Sequence, residues 1–237
     1  MSLNEHLKMH ISNNRISGLS FVDVQDGNNL PLAVDKVKRN EVDGIGLNLI
    51  RNWPKTDINV ISSCPNIKFL YIHYAPFDYS VVNELENIVQ LGIDTDDRNE
   101  IVFSNKPRLR NVSLHWRAKA KSLFECRQLE DLWMGKYNGK NLSDFENLSN
   151  LKSLRINTGS ISSLNGIENL SKLENLYLAQ VTKLEDISAI ENLKNLKSLT
   201  INNCKKIKNI EVINSLKNID IVNIMGTTPK NGVQHNL

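Results

Sequence analysis

The chain has 237 residues, of which 40% are hydrophobic and 23% are charged, and its formal net charge is +3. This composition is ordinary for a globular chain, and so mild a charge argues against nucleic acid or an anionic membrane as the partner. No apolar run approaches the roughly 18 residues that a membrane helix needs, and the N-terminus lacks the basic and apolar segments of a secretory signal. We therefore expect a cytoplasmic protein. Export by a route that needs no signal peptide is the alternative.

Residues 1–41 do not carry the motif that fills the rest of the chain. Residues 16–24 alternate between apolar and polar side chains as a strand does, and residues 32–40 have the pattern of a short helix. We interpret residues 1–41 as an N-terminal cap that covers the open end of the domain that follows. The competing interpretation is a tenth, degenerate copy of the repeat described next.

From residue 42 onward, the pattern L-x-x-L-x-L recurs, with Ile, Val or Met in place of some leucines. The copies begin at Val42, Ile67, Ile88, Leu109, Leu129, Leu151, Leu173, Leu196 and Ile219. Successive starts are 20 to 25 residues apart. Nine copies at so regular a spacing predict a repeat architecture over residues 42–226.

Each copy predicts one strand followed by a tight helical turn. In L-x-L, alternate residues point to opposite faces, so the leucines enter the core and the residues between them face outward. The segment after the strand has apolar residues three apart, such as Leu164, Ile167 and Leu170, and this period suits 3₁₀ turns. One copy cannot bury its apolar face alone, so the copies must stack and their strands form a parallel sheet.

This motif resembles the leucine-rich repeat, in particular the short class of bacterial internalins and of phosphatase regulators. The resemblance implies an α/β solenoid, a right-handed superhelix with a curved parallel β-sheet on its concave face and 3₁₀ or short helical turns on its convex face. It extends over residues 42–226 and leaves residues 227–237 as a C-terminal tail. One departure is that the position eight residues after the motif start, usually Asn, holds residues such as Tyr137 and Cys204. Backbone groups or water must then satisfy the turn.

The sequence contains no signature of a catalytic or cofactor site. It has no nucleotide-binding, serine-hydrolase or zinc-protease motif, and its three cysteines lack the spacing of a zinc site. Cys64 and Cys126 stand three residues before a motif start, where other copies have leucine, so we expect them in the core. We therefore expect a protein that is not an enzyme and that has no catalytic residue, metal or cofactor.

Three residues at one position of the repeat form a candidate site. His73, Asp94 and His115 follow the strand core in three consecutive copies, so they are predicted to form a column on the outward face. Such a set suits a divalent metal or acid–base catalysis, as in a hydrolase or a metal-binding protein. The two histidines would be about 10 Å apart at the backbone, too far for easy tetrahedral coordination. The interpretation that we favour is a hydrogen-bonded polar strip.

Large side chains concentrate on the outward positions of the sheet. Trp, Tyr and Arg are enriched at interface hot spots because each buries a large area and keeps a polar group. The predicted partner-binding residues are Phe69, Tyr71, His73, Asp94, His115, Trp133, Arg155 and Tyr177. The alternative is that the rings only pack against one another and stiffen the sheet. Tyr74 and Trp116, one position further along the chain, are predicted either to line the rim or to tuck partly inward.

These features predict a monomeric recognition module that binds one protein partner through the concave face. The resemblance implies a bacterial protein, for which immunity or regulation by sequestering a partner is one role. A host-directed effector, or a scaffold that regulates an enzyme such as a phosphatase, is the alternative role.

Overall fold

The computed structural model describes residues 10–51, 57–73, 78–94 and 99–227. The chain forms two compact units. The first comprises Met1–Leu114 with Ala118–Leu123, and the second comprises His115–Arg117 with Phe124–Leu237. Within the described residues, no helix combines the length and the hydropathy needed to cross a bilayer.

The first unit is built on strands that follow one another in sequence order. They are β1 (His10–Asn13), β2 (Ser20–Asp26), β3 (Gly44–Arg51), β4 (Phe69–His73), β5 (Gln90–Asp94) and β6 (Asn111–His115), of which the last residue belongs to the second unit. β1 and β2 are antiparallel, and from β2 onward each strand is parallel to the next. Equivalent repeat positions pair with one another. Tyr71, for example, lies opposite Gly46 on one side and Gly92 on the other.

Residues 10–41 contain both a repeat-like part and a different one. β2 continues the parallel ladder, whereas β1 folds back antiparallel at its edge. Helix α1 (Leu30–Lys38) follows β2, and Pro31 fits its first turn because proline lacks the amide hydrogen that would be unpaired there. The buried residues of α1 recur at helical spacing and are Leu30, Ala33, Val34 and Val37. β2 and α1 therefore have the strand-then-helix order of a repeat.

The second unit continues the same design with more regular copies. Its strands are β7 (Asp131–Gly135), β8 (Ser153–Asn157), β9 (Asn175–Ala179), β10 (Ser198–Asn202) and β11 (Ile221–Met225). Each is parallel to the next and in register with it, so that Arg155 lies between Trp133 and Tyr177.

Short 3₁₀ turns connect the strands, as the three-residue apolar spacing predicted. They span Gly27–Asn29, Asn59–Ser63, Ser80–Glu84, Ala118–Glu125, Ser143–Phe145, Ile167–Asn169, Ser188–Asn192 and Ile210–Ser215. The core lies between strands and turns. In one copy, Leu154 and Ile156 of β8 and Ile167 of the following turn are fully buried. Cys64 and Cys126 are buried in the core, as predicted.

The main chain itself holds the turn after each of the strands β7 to β10. The residue seven positions after the motif start is left-handed there, with φ between 54° and 59°, at Lys136, Thr158, Gln180 and Asn203. The amide of each donates to the carbonyl of the last residue of the next strand. Thr158 N, for instance, lies 2.9 Å from Ala179 O, and Gln180 N lies 2.8 Å from Asn202 O. The prediction that backbone groups replace an asparagine ladder is confirmed for these turns.

One core position of the first unit holds a lysine. Lys106 stands three residues before a motif start, where leucine or cysteine occurs in other copies, and it is 0% exposed. Its Nζ donates to Val82 O at 2.8 Å, to Asn105 Oδ1 at 3.2 Å and to Leu85 O at 3.4 Å. An ammonium group is tolerated inside a protein only when its N–H groups are hydrogen-bonded, and these three oxygens accept those hydrogen bonds.

Candidate functional site

In each unit taken by itself, we call the outward positions of the strands the outer sheet face. Its central column consists of Gly46, Tyr71, Gly92 and Ser113 in the first unit and of Trp133, Arg155, Tyr177, Thr200 and Asn223 in the second. Within each unit these residues are in register, as the repeat predicted.

Phe69 is covered in the structure. It occupies the first outward position of β4, yet it is only 2% exposed. The ring of Phe21 from β2 stacks on it, with ring centroids 4.5 Å apart and an interplanar angle of 23°. The repeat register alone predicts a displayed ring here, because it leaves Phe21 in a cap and not in a strand of the sheet. Phe69 is therefore a buried ring that joins β2 to β4 across the face.

Tyr71 lies across the neighbouring strand. A Cβ atom added to Gly92 would be 2.0 Å from Tyr71 Cδ2, so the ring fills the space that a side chain on β5 would need. The ring is nearly parallel to that of His73, at 22°, with centroids 6.1 Å apart. Tyr71 remains half-buried, so part of the ring is accessible on the outer sheet face.

His73 and Asp94 form a polar pair beside Tyr71. His73 Nδ1 lies 2.8 Å from Asp94 Oδ2, because the two residues are opposite each other in the pairing of β4 with β5. His115 belongs to the second unit, where its ring centroid is 5.6 Å from that of Trp133. Among the described residues, no group of three or more His, Cys, Asp or Glu side chains is arranged to hold a metal ion.

Trp133 and His115 cover a glycine of the second unit. A Cβ atom added to Gly135 would be 2.4 Å from His115 Cδ2 and 2.9 Å from Trp133 Cη2. Both ring systems are half-buried. The arrangement repeats that of Tyr71 and Gly92, since in each case a glycine lets a large ring lie against the sheet.

Arg155 is paired with a carboxylate but retains an unused donor. Its Nη2 donates to Asp131 Oδ1 at 2.5 Å. Its Nε and the Oδ1 of Asn157, also on β8, are buried atoms with no hydrogen-bond partner among the described residues. A buried polar atom without a partner costs about 1–3 kcal/mol, so a partner that displaces the covering side chains and reaches these two atoms would gain from bonding them. Tyr177 lies beside Arg155 in register and is half-buried.

Gln90 is a polar residue of the site that sequence reasoning missed. It lies opposite Phe69 in the pairing of β4 with β5 and is 8% exposed. Its Oε1 has no hydrogen-bond partner among the described residues. Its column position was evident in the sequence, but its burial depends on how the surrounding side chains pack.

Trp116 packs into an aromatic cluster. Its centroid lies 5.0 Å from that of Phe124 and 5.4 Å from that of Tyr137. Burial raises the pKa of the Tyr137 hydroxyl, and a hydrogen bond to Asp144 at 3.0 Å raises this pKa further. This hydroxyl therefore acts as a neutral donor that fixes the cluster. Tyr74, the other predicted rim residue, lies outside the described residues.

Comparison with known proteins identifies a repeat-domain model and a fold. The family model of the leucine-rich-repeat domain of endo-β-N-acetylglucosaminidase EndoS matches residues 133–228. An internalin (InlF) of Listeria monocytogenes aligns with a TM-score of 0.59 at 19% identity, over 85% of this chain and 71% of that one. The functional domain of InlJ from Listeria monocytogenes aligns at 0.55 and 11% identity, over 79% and 40%. TLR13 in its complex with ssRNA13 aligns at 0.52 and 15% identity, over 85% and 34%.

No curated protein sequence matches the chain. At these identities the structural likeness shows the fold alone, and it confirms the predicted class of leucine-rich-repeat solenoid. The recurring motif, the parallel strands with their 3₁₀ turns and the repeat-domain model matched over residues 133–228 together show that this chain has the leucine-rich-repeat fold.

Proposed function

We propose that the chain is a non-enzymatic recognition module that binds a protein partner across the outer sheet face. One observation carries the proposal: half-buried rings lie beside buried polar atoms whose hydrogen-bonding capacity is unused. Trp133 and Tyr177 supply the rings in the second unit, and Arg155 Nε and Asn157 Oδ1 supply the polar atoms. Rings with a polar neighbour are the typical hot spots of protein interfaces.

The rings need little further ordering to bind. Trp133 is held against the sheet by His115 and by the absence of a side chain at Gly135, and Tyr71 is held in the same way at Gly92. Side chains that are already fixed lose less conformational entropy when a partner covers them, so more of the contact energy appears as affinity.

The charges of the outer sheet face are compensated locally. Arg155 is paired with Asp131, and the Asp94 carboxylate has His73 Nδ1 at 2.8 Å. A face with little net charge fits the neutral polar and apolar surface of a folded protein better than it fits a polyanion. This supports a protein partner and argues against nucleic acid.

Affinity capture from the lysate of the source cell tests the proposal. The bait would be the wild-type chain, Trp133→Ala, Tyr177→Ala and the control Val60→Ala, which truncates an apolar residue, 38% exposed, in a 3₁₀ turn. Each of the two ring variants should weaken a captured complex at least about tenfold, or about 1.4 kcal/mol, with the circular dichroism spectrum unchanged. The control should bind as the wild type does. Partners that bind all four baits equally would contradict the proposal.

We propose a bacterial immunity or regulatory role as the finer function, and a cytoplasmic location. For the role, the support is the short repeat class and the fold shared with internalins of Listeria monocytogenes. Co-expression with the product of a neighbouring gene tests this role: an immunity protein should abolish the toxicity of that product, and Trp133→Ala should restore it. Toxicity that the wild-type chain leaves unchanged would contradict the immunity role.

A further inference from the structure

The last repeat of the second unit is less buried than the copy before it. In the copy of β10, the four core positions Leu193, Leu196, Leu199 and Ile201 are at most 4% exposed. The equivalent positions in the copy of β11 are all half-buried, and they are Leu216, Ile219, Val222 and Ile224. The core of the second unit is therefore open on the side of β11, within the described residues.

The backbone of β11 also has an edge that no described strand pairs with. Ile221 N donates to Lys197 O, and Met225 O accepts from Asn203 N, so residues 221 and 225 direct their backbone groups toward the β10 side. Backbone groups of alternate residues point to opposite sides of a strand. The N–H and C=O groups of Val222 and Ile224 therefore point away from β10.

We propose that a second copy of this chain pairs with this edge, antiparallel, about a two-fold axis at Asn223. In that register Val222 of one copy faces Ile224 of the other, and each such pair exchanges two N–H···O bonds. The axis generates both pairs, so four backbone hydrogen bonds form from two identical edges. An interface of this kind closes on itself and stops at a dimer.

The side chains of β11 suit the same register. Ile221 of one copy lies opposite Met225 of the other, and each of these side chains is 51% exposed in the single chain. Residues 221–227 contain no charged side chain, so two copies meet without like-charge repulsion. Edge strands commonly carry charges that prevent such pairing. The half-buried core residues of the two copies would also meet, because the axis keeps both cores on one side of the sheet.

A second copy fits this edge better than residues 228–237 do. In sequence, residues 228–237 offer Val233 and Leu237 as their only aliphatic side chains and include Pro229 and Gly232, both of which are disfavoured in strands. The dimer does not rest on the proposed function, because it uses a strand edge and leaves the recognition residues of β7 to β9 uncovered.

Sedimentation velocity of the full chain between about 1 and 500 μM tests the dimer. Five strand residues per copy form a small interface, so we expect a Kd on the order of 10 μM. Ile221→Lys combined with Met225→Lys should weaken the dimer at least about tenfold, because lysines then face each other. Ile221→Lys combined with Met225→Glu should recover most of the loss, because each lysine then faces a glutamate. Both sites are exposed, so the fold should tolerate either pair.

A symmetric cross-link tests the register. Residues 223 of the two copies would form a non-hydrogen-bonded pair with Cα atoms about 4.5 Å apart, which is within disulfide range. Asn223→Cys should give a covalent dimer on a non-reducing gel after mild copper-catalysed oxidation. Thr200→Cys, at the same position of the interior strand β10, should stay monomeric, and the native cysteines are buried.

The possible outcomes separate clearly. A wild-type chain that is monomeric over the whole range overturns the proposal. So does a dimer that the two lysines do not weaken, or an Asn223→Cys chain that dimerises without cross-linking. A dimer that shows the charge pattern and cross-links at position 223 supports it.

Discussion

Three residues before a motif start, the second unit buries leucine in three copies (Leu148, Leu170 and Leu193) and Cys126 in a fourth, whereas the first unit buries Cys64, Leu85 and Lys106 at the same position. The outer sheet face differs in a parallel way. In the first unit the ring of Phe69 is covered by another ring, whereas the rings of Trp133 and Tyr177 in the second unit are both half-buried. The difference teaches that an outward ring joins neighbouring strands where a second ring covers it, as at Phe69, and stays accessible where none does, as at Tyr177.

The largest expected effect comes from exchanging leucine and lysine at the core position that lies three residues before a motif start. Lys106→Leu should lower the free energy of unfolding by about 1–3 kcal/mol, because Val82 O loses its charged donor. The reciprocal Leu148→Lys should cost more than about 3 kcal/mol, because it buries an ammonium group in a site shaped for leucine. Urea unfolding checks both. A stabilising Lys106→Leu would show that the first unit does not depend on its buried lysine.

The next effect concerns the glycines under the rings. Gly92→Ala in the first unit should cost about 1–2 kcal/mol, because the new methyl group displaces Tyr71. The cost should fall when Gly92→Ala is made in a Tyr71→Ala background, a coupling that a double-mutant cycle measures. Gly135→Ala with Trp133→Ala is the matched cycle in the second unit. Equal costs with and without the ring would mean that the glycine serves another purpose.

A smaller gain is expected at the left-handed turns. Gln180→Gly should stabilise the second unit by about 0.5–1 kcal/mol, because only glycine adopts this backbone without strain. Asn40→Gly, at the left-handed residue after α1 in the first unit, should gain less, since asparagine tolerates this conformation. Thermal unfolding compares the two. A destabilising Gln180→Gly would show that the glutamine side chain supports the turn.

The smallest effect depends on pH. Burial acts to raise the pKa of Asp43 in the first unit, but hydrogen bonds from Lys68 and Ser20 outweigh burial and leave this pKa below its usual range. The amide of Ser188 and the side chain of Asn209 lower the pKa of Asp186 in the second unit. A carboxyl group whose pKa falls on folding stabilises the protein above its unfolded pKa, near 4, and loses this contribution as pH falls through its folded pKa.

Asp43→Asn and Asp186→Asn should therefore reduce stability at pH 7, and the difference from the wild type should shrink at pH 3. Urea midpoints at the two pH values measure this change. A stability difference from the wild type that is the same at both pH values would mean that the charge of the carboxylate does not stabilise the folded protein.

The repeat register could be predicted from the sequence because it rests on spacing. The same spacing that aligns Leu154 with Leu176 also places Lys106 in a core slot, so this residue could have been found by listing each slot of each copy. The hydrogen bonds of its ammonium group could not be predicted, because the positions of Val82 O and Asn105 Oδ1 depend on the path of a neighbouring turn.

The sequence predicts which residues lie on the outer sheet face better than it predicts how far each of them is buried. The alternation of side chains along a strand assigns Phe69 and Tyr71 to that face. It does not determine whether a ring projects into solvent or lies against the sheet. That choice depends on residues in adjacent strands, namely Phe21, which covers one ring, and Gly92, which makes room for the other. The sequence therefore identifies the positions, and packing between strands decides which of them a partner can reach.

The backbone ladder after strands β7 to β10 has a consequence for how such a chain can diverge. Because an amide and a carbonyl make each contact, no particular side chain has to be kept for the turn to close. Lysine, threonine, glutamine and asparagine all occupy that site. A copy can thus be duplicated, and its turn can drift in sequence, without a compensating change in the neighbouring copy.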